Sequence, residues 1–290
     1  MTDSSVIDKL AAEFGGFATP SPEIQAEIQR LSRQPYLEYE QVKNCHGWLY
    51  ELVLSRMTGL LVGESRSGKT VTCKSFEKRY NKIKTGNKKR IKPIVYIQSP
   101  QNCGAREFFT KILKALNKPT NGNVSDLRER TLDGLQIHEC EMLIIDEANH
   151  LKQETFAEVR HVYDEEELNM AVLLVGTRHR LEAVVKRDEQ VLNRFMEEYE
   201  LDRLDDKEFK QLIKIWEQSV LCLPELSNLD TGDNLKLLKK TTRKLIGRLD
   251  MILRKSAIRA LREGKQSISP ELLKQVISSI KWSEGRKGNG

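Results

Sequence analysis

Gly63-Glu64-Ser65-Arg66-Ser67-Gly68-Lys69-Thr70 reads G-x-x-x-x-G-K-S/T without a departure. The run Gly59-Leu60-Leu61-Val62 precedes it, and helical periodicity follows from Lys69 to about Asn81. A chain that passes from a buried strand through a glycine turn into a helix wraps its amides around an anion. The helix N-terminus points its dipole at the same place. In that setting Lys69 reaches the β- and γ-phosphates of a nucleotide and Thr70 ligates Mg²⁺.

The rest of the first two thirds fits such a turn. Pro93-Ile94-Val95-Tyr96-Ile97, Met142 to Ile145 and Met170 to Val175 are apolar throughout, as strands covered on both faces read. Helical stretches lie between them, at about Gly104 to Asn117 and Ser125 to Gln136, which predicts a parallel sheet with right-handed crossovers. Ser21-Pro22 reads as a helix cap with proline at the first helical position, and a longer helix is expected over Tyr39 to Arg56. Beyond Leu204 the strand signal stops. Lys207 to Leu221, Asn234 to Lys240, Leu245 to Arg262 and a segment opened by Ser269-Pro270 all read as helices. The expected organisation is an arm over 1–20, an α/β nucleotide-binding domain with N-terminal helices over 21–204, a helical lid over 205–282 and a flexible basic tail over 283–290.

Composition excludes more than it identifies. The 290 residues are 39% hydrophobic and 31% charged, which suits a globular chain. No run of about 18 apolar residues exists, so no membrane partner is expected. MTDSSVIDKL lacks the basic start of an export signal, so the expected compartment is the cytoplasm. Cys45, Cys73, Cys103, Cys140 and Cys222 are scattered, with no C-x-x-C pair, and are expected to be mostly buried thiols. Lys+Arg total 48 against Asp+Glu 42, a formal +6. The excess is clustered: Lys78 to Lys92 holds eight Lys/Arg and no acid, and Lys236 to Lys255 is interrupted only by Asp250. Such clusters suit either a polyanion partner or a solvated face.

The strand Met142-Leu143-Ile144-Ile145 ends in Asp146-Glu147. Asp146 can hold the hydration shell of Mg²⁺. Glu147, pointing the other way along an extended chain, can polarise an attacking water. Val175-Gly176-Thr177 ends the next strand, where a small hydroxyl can sense the γ-phosphate. Arg194, in Asn193-Arg194-Phe195, and its competitor Arg187 are placed to project into a neighbouring subunit. Gly247-Arg248 opens the long lid helix, from which Arg248 could cover the phosphates.

This order of phosphate loop, Asp-Glu strand, polar strand end, arginine and helical lid resembles the AAA+ ATPases, from about Gln41 to Ile280. More narrowly, VGESRSGKT, EMLIIDEANHLKQETFAEVR, LLVGT and KRDEQVLNRF with IGRLDMILRKSAIRAL resemble the TnsC/TniB/MuB transposition regulators, and within them the short TnsC of RNA-guided CRISPR-associated transposons. The resemblance implies an ATP-dependent, sequence-non-specific DNA-binding ATPase. It would form rings or helical filaments of itself on duplex DNA and link target-selection proteins to a transposase in a bacterial cytosol. It assigns Lys69 and Thr70 to nucleotide and Mg²⁺, Asp146 and Glu147 to Mg²⁺ and hydrolysis, and Thr177 to the sensor position where many AAA+ proteins carry asparagine. It places DNA contacts in loops after the second strand, at Arg106 in GAREFF and Asn123 in NGNVSD, read as polar loop tips. Two other readings remain open here: a helicase-loader-type switch and a small-molecule kinase. Glu147 argues against the kinase, because a water-activating carboxylate would waste ATP.

Overall fold

The computed structural model describes residues 21–33, 35–86, 91–187 and 189–280. The arm over 1–20, the whole of the tail over 283–290 and residues 87–90 of the Lys78–Lys92 run lie outside the described residues. Two compact units form. One is Glu38–Asp202; the other joins the described residues of Met1–Leu37 and of Arg203–Gly290.

Helix α1 (Pro22–Ser32) is capped by Ser21, whose side chain accepts from the amide of Ile24, with proline in the first turn. The sequence grouped α1 with the sheet; in the structure it belongs to the helical unit. Long-range contacts hold it there. Arg30 donates to the carbonyls of Val220 (2.6 Å) and Leu221 (3.0 Å), and Arg254 donates to the carbonyl of Leu31 (3.1 Å).

The sheet unit begins with α2 (Glu40–Ser55), β1 (Thr58–Val62) and α3 (Lys69–Thr85). Next come β2 (Ile94–Gln98), α4 (Ala105–Ala115), α5 (Val124–Ile137) and β3 (Met142–Asp146). A 3₁₀ turn (Ala148–His150) leads to α6 (Gln153–Asp164), β4 (Ala171–Val175) and α7 (Arg178–Val185). The short α8 (Glu189–Leu192) and β5 (Glu197–Glu200) complete it. All pairings are parallel, in the order β2-β3-β4-β1-β5.

Every residue of β1, β3 and β4 is buried, because helices cover both faces. Alternate residues sort to the two sides. Val62, Val95, Ile145 and Leu174 pack with Phe108, Phe109, Leu127 and Phe156 of α4, α5 and α6. Leu61, Ile94, Ile144 and Leu173 pack with Leu49, Leu52, Cys73 and Phe76 of α2 and α3. Four cysteines are buried as free thiols and Cys222 is exposed.

Strand β5 escaped the sequence reading, since Glu197-Glu198-Tyr199-Glu200 has no apolar run. It is an edge strand with one strand neighbour, β1. Arg178 offsets its acidity by bridging Glu198 (2.8 Å) and Glu200 (2.6 Å), while Trp48 donates to Glu197 (3.2 Å) and packs on Tyr199 at 5.3 Å between ring centroids.

In the helical unit, α9 (Asp206–Trp216) opens with a capping box between Asp205 and Glu208 and runs into a π turn over Glu217–Leu221. Then follow α10 (Gly232–Thr242), α11 (Ile246–Arg262) and α12 (Pro270–Ser278). The Glu217 carboxylate is buried and accepts from the amides of Ser227 (2.8 Å) and Leu229 (2.9 Å). Burial raises its pKa, against the pull of those amides.

Candidate nucleotide site

The site grows from three strand ends. Past β1 the backbone enters conformations that favour glycine at both ends of the loop: φ is +153° at Gly63 and +101° at Gly68. A Cβ at Gly63 would lie 2.4 Å from the carbonyl oxygen of Leu201, so the loop is threaded against the segment after β5. Glu64, Ser65, Arg66 and Ser67 complete the turn, and α3 starts at Lys69, as the pattern predicts.

The Lys69 side chain turns back into the loop. Its ammonium donates to the carbonyls of Gly63 (2.9 Å) and Glu64 (2.8 Å) and lies 3.4 Å from Ser67 Oγ. Burial lowers its pKa, while the charges of Asp146 and Glu147 oppose that shift. A cation held among phosphate-loop carbonyls can exchange those partners for phosphate oxygens with little motion.

Asp146 ends β3 at 1% exposure. Its Oδ2 accepts from Thr70 Oγ1 (2.6 Å) and from Tyr96 Oη (2.6 Å), and its Oδ1 accepts from the amide of Glu147 (2.8 Å). Thr70 and Asp146 thus form a pair of hard oxygen donors at the foot of the loop. Mg²⁺ fits such a pair, because it takes one or two protein oxygens and completes its shell with phosphates and water. No cluster of three or more His, Cys, Asp or Glu suited to a metal occurs among the described residues. Tyr96 is a site residue that sequence reasoning missed. Burial, with Asp146 beside it, pushes its phenol well above the usual range, so it is a hydrogen-bond donor.

Glu147 corrects the expectation of an extended chain. It has φ 53° and ψ 38°, and its carbonyl accepts from the amide of His150 (2.9 Å). The chain turns immediately after Asp146, and this turn rather than strand pleating sets where Glu147 points. Glu147 lines a cleft of about 720 Å³ with Ser65, Gln98, Thr177, Lys111, His150 and Arg180. The phosphate loop, the end of β3 and the end of β4 therefore meet. Thr177 opens α7 without a side-chain cap bond, and its amide donates to Asn149 Oδ1 at 3.4 Å. Asn149 and Arg180 were also missed: one sits in the turn after β3, the other three residues past Thr177.

The remaining candidates lie apart from the cleft lining. Arg194 is paired through two nitrogens with Asp164 (2.8 Å each), and Arg187 is exposed at the end of α7. Arg248 stands in the first turn of α11, in the other unit. Arg106 and Asn123 come together: Arg106 Nη1 donates to the carbonyl of Gly122 at 2.7 Å. Arg130 donates to the carbonyls of Pro119 (3.1 Å) and Asn121 (2.8 Å), so two arginines tie this loop down. Asn123 is the N-cap of α5 and shares a capping box with Asp126, which corrects its reading as a loop tip. Its Oδ1 serves the helix, and only its amide hydrogens remain to be offered outward.

No helix among the described residues is long and apolar enough to cross a membrane. The fold is shared with solved AAA+ proteins. The ADP form of the Aeropyrum pernix ORC2 protein matches with a TM-score of 0.68 at 16% identity, over 87% of this chain and 72% of that one. Cdc6p from Pyrobaculum aerophilum matches at 0.66 and 17%, over 85% and 69%. The Aeropyrum pernix ORC1 protein in complex with DNA matches at 0.67 and 13%, over 87% and 68%. Identities this low establish the fold alone, an AAA+ P-loop NTPase fold. No curated protein matches the sequence. Residues 27–205, more than half of the chain and including the phosphate loop, Asp146-Glu147 and Thr177, match the family model described as bacterial TniB protein, and the chain belongs to that family.

Proposed function

We propose that this protein is an ATP-dependent, sequence-non-specific DNA-binding ATPase that assembles on duplex DNA. In transposition it would link target-site selection to transposase recruitment, in the manner of the TnsC regulators. The observation that carries the reading is the meeting of three groups: Lys69 in its loop, the Thr70–Asp146 pair at 2.6 Å, and Glu147 in the adjoining cleft.

In this reading the amides of residues 63–70 wrap the β- and γ-phosphates, and Lys69 leaves the loop carbonyls to meet them. Mg²⁺, when bound, neutralises charge on those phosphates. Thr70 and Asp146 hold it, and Glu147 takes a proton from the attacking water. Thr177, steadied through its amide by Asn149, orients that water or the γ-phosphate. A trans arginine from the next subunit completes the site, a contribution of about 10³–10⁵ in rate where one operates. Arg194 would have to leave Asp164 to do this; Arg187 starts from an exposed position.

Arg106 and the amide of Asn123 face phosphate rather than base edges, since neither belongs to a recognition helix or a metal-bound reading module. Few contacts per subunit give weak binding, which repetition along a duplex multiplies. The Arg106→Ala variant should therefore lose affinity equally on unrelated duplexes. Its salt dependence should flatten by about one unit of slope, with nucleotide affinity intact. Fluorescence anisotropy across a salt series, with an ATP analogue present, checks this. A strong preference for one sequence would contradict it.

A further inference from the structure

We infer that Tyr96 is a positioning residue for Mg²⁺, acting through Asp146; the inference rests on the nucleotide-site reading above. Sheet register sets the geometry. Tyr96 pairs with Ile144 and Gln98 with Asp146. Side chains two apart on a strand share a face, so Tyr96, Ile144 and Asp146 all face α3. Tyr96 packs in the cluster that contains Ile144 and Cys73. Asp146 is the diagonal neighbour of Tyr96 across the β2–β3 pair. Such neighbours are about 7–8 Å apart at the backbone, a span that long aromatic side chains cover. The phenol bridges it and reaches Oδ2 at 2.6 Å. Lys74, from α3, sets its ammonium 5.3 Å from the centre of the Tyr96 ring, which fixes the ring from above.

The consequence lies in how the Asp146 carboxylate is held. Oδ2 takes hydrogen bonds from Thr70 and Tyr96, and Oδ1 takes one from the amide of Glu147. Donors at both ends stop the carboxylate from rotating. With its hydrogen committed to Oδ2, the Thr70 hydroxyl has its lone pairs left for the metal. Without the phenol, Oδ2 has one anchor fewer and the Thr70–Asp146 geometry loosens. Groups that orient ligands from outside the coordination shell typically change metal affinity 10–100-fold when removed.

The test is Tyr96→Phe, which keeps the ring and deletes only the hydroxyl. Binding of a fluorescent ATP analogue is titrated over a range of Mg²⁺ concentrations and again in EDTA, for wild type and variant, with melting curves of both in EDTA. The expected result is that half-maximal binding moves to about tenfold higher Mg²⁺ or more, while affinity in EDTA is unchanged. An unchanged Mg²⁺ midpoint would overturn the inference. So would an equal loss with and without Mg²⁺, accompanied by a lower melting temperature, because that marks a packing role. Failure of wild type to bind the analogue under any condition would overturn the nucleotide-site reading itself, which separates the two failures.

Discussion

Lys69→Ala is expected to remove tight ATP binding and, with it, nucleotide-dependent assembly. Lys69 is 9% exposed and its ammonium lies inside the loop that would hold the phosphates. A hydrogen bond involving a charged group contributes about 1.5–3 kcal/mol. Losing one or two at the phosphates costs from about tenfold to about 10⁴-fold in affinity. The fold should survive, because the change deletes a buried charge whose partners are loop carbonyls rather than core. An equilibrium titration with a fluorescent ATP analogue checks the affinity, and a melting curve checks the fold. Wild-type affinity in a folded Lys69→Ala protein would remove Lys69 from the site.

Glu147→Gln separates binding from turnover. The amide keeps the shape of the carboxylate and removes the base, so ATP should bind normally while hydrolysis falls by about 10²–10⁴-fold. The left-handed turn at Glu147 is a backbone feature that glutamine can retain, so the variant should fold as the wild type does. DNA-bound assemblies made with ATP should then outlive those of the wild type. Steady-state phosphate release and dissociation of labelled duplex read the two effects. Turnover at the wild-type rate would move the base elsewhere, with His150, in the lining of the same cleft, the first alternative.

Legibility in the sequence tracked the range of the forces involved. The phosphate loop and strands β1, β3 and β4 could be read because local rules govern them: glycines at fixed offsets, and apolar runs buried on both faces. Strand β5 could not, since its four residues owe their place to pairing with β1 and to Arg178. The position of α1 was hidden for a similar reason; Arg30 on α1 binds the carbonyls of Val220 and Leu221, and Arg254 binds that of Leu31, all of them far apart in the chain. Tyr96 looked like one more core aromatic in PIVYIQ, and only the β2–β3 register reveals its reach to Asp146. Asn123 was the most recoverable miss. Asn123-Val124-Ser125-Asp126 carries an N-cap residue with an acid three positions on, and that pattern marks the start of a helix rather than a free loop tip.

The conformation of Glu147 shows a different limit. The pair Asp146-Glu147 identifies a candidate acid-base centre from sequence alone, but alternation along a strand gives the wrong direction for Glu147. The turn that redirects it depends on the bond between His150 and its own carbonyl. Thr177 was placed at a strand end by its sequence neighbours, whereas its contact with Asn149 joins two loops and needed the assembled sheet.

Nucleotide occupancy of the Lys69–Asp146–Glu147 site should control assembly on DNA. Electron microscopy of the wild-type protein tests it directly, with a non-hydrolysable ATP analogue and Mg²⁺, each with and without duplexes of unrelated sequence. Ordered rings or filaments should form on every duplex when the analogue is present and be lost when it is omitted. Equal assembly on DNA without nucleotide, or none with the analogue bound, would contradict the account.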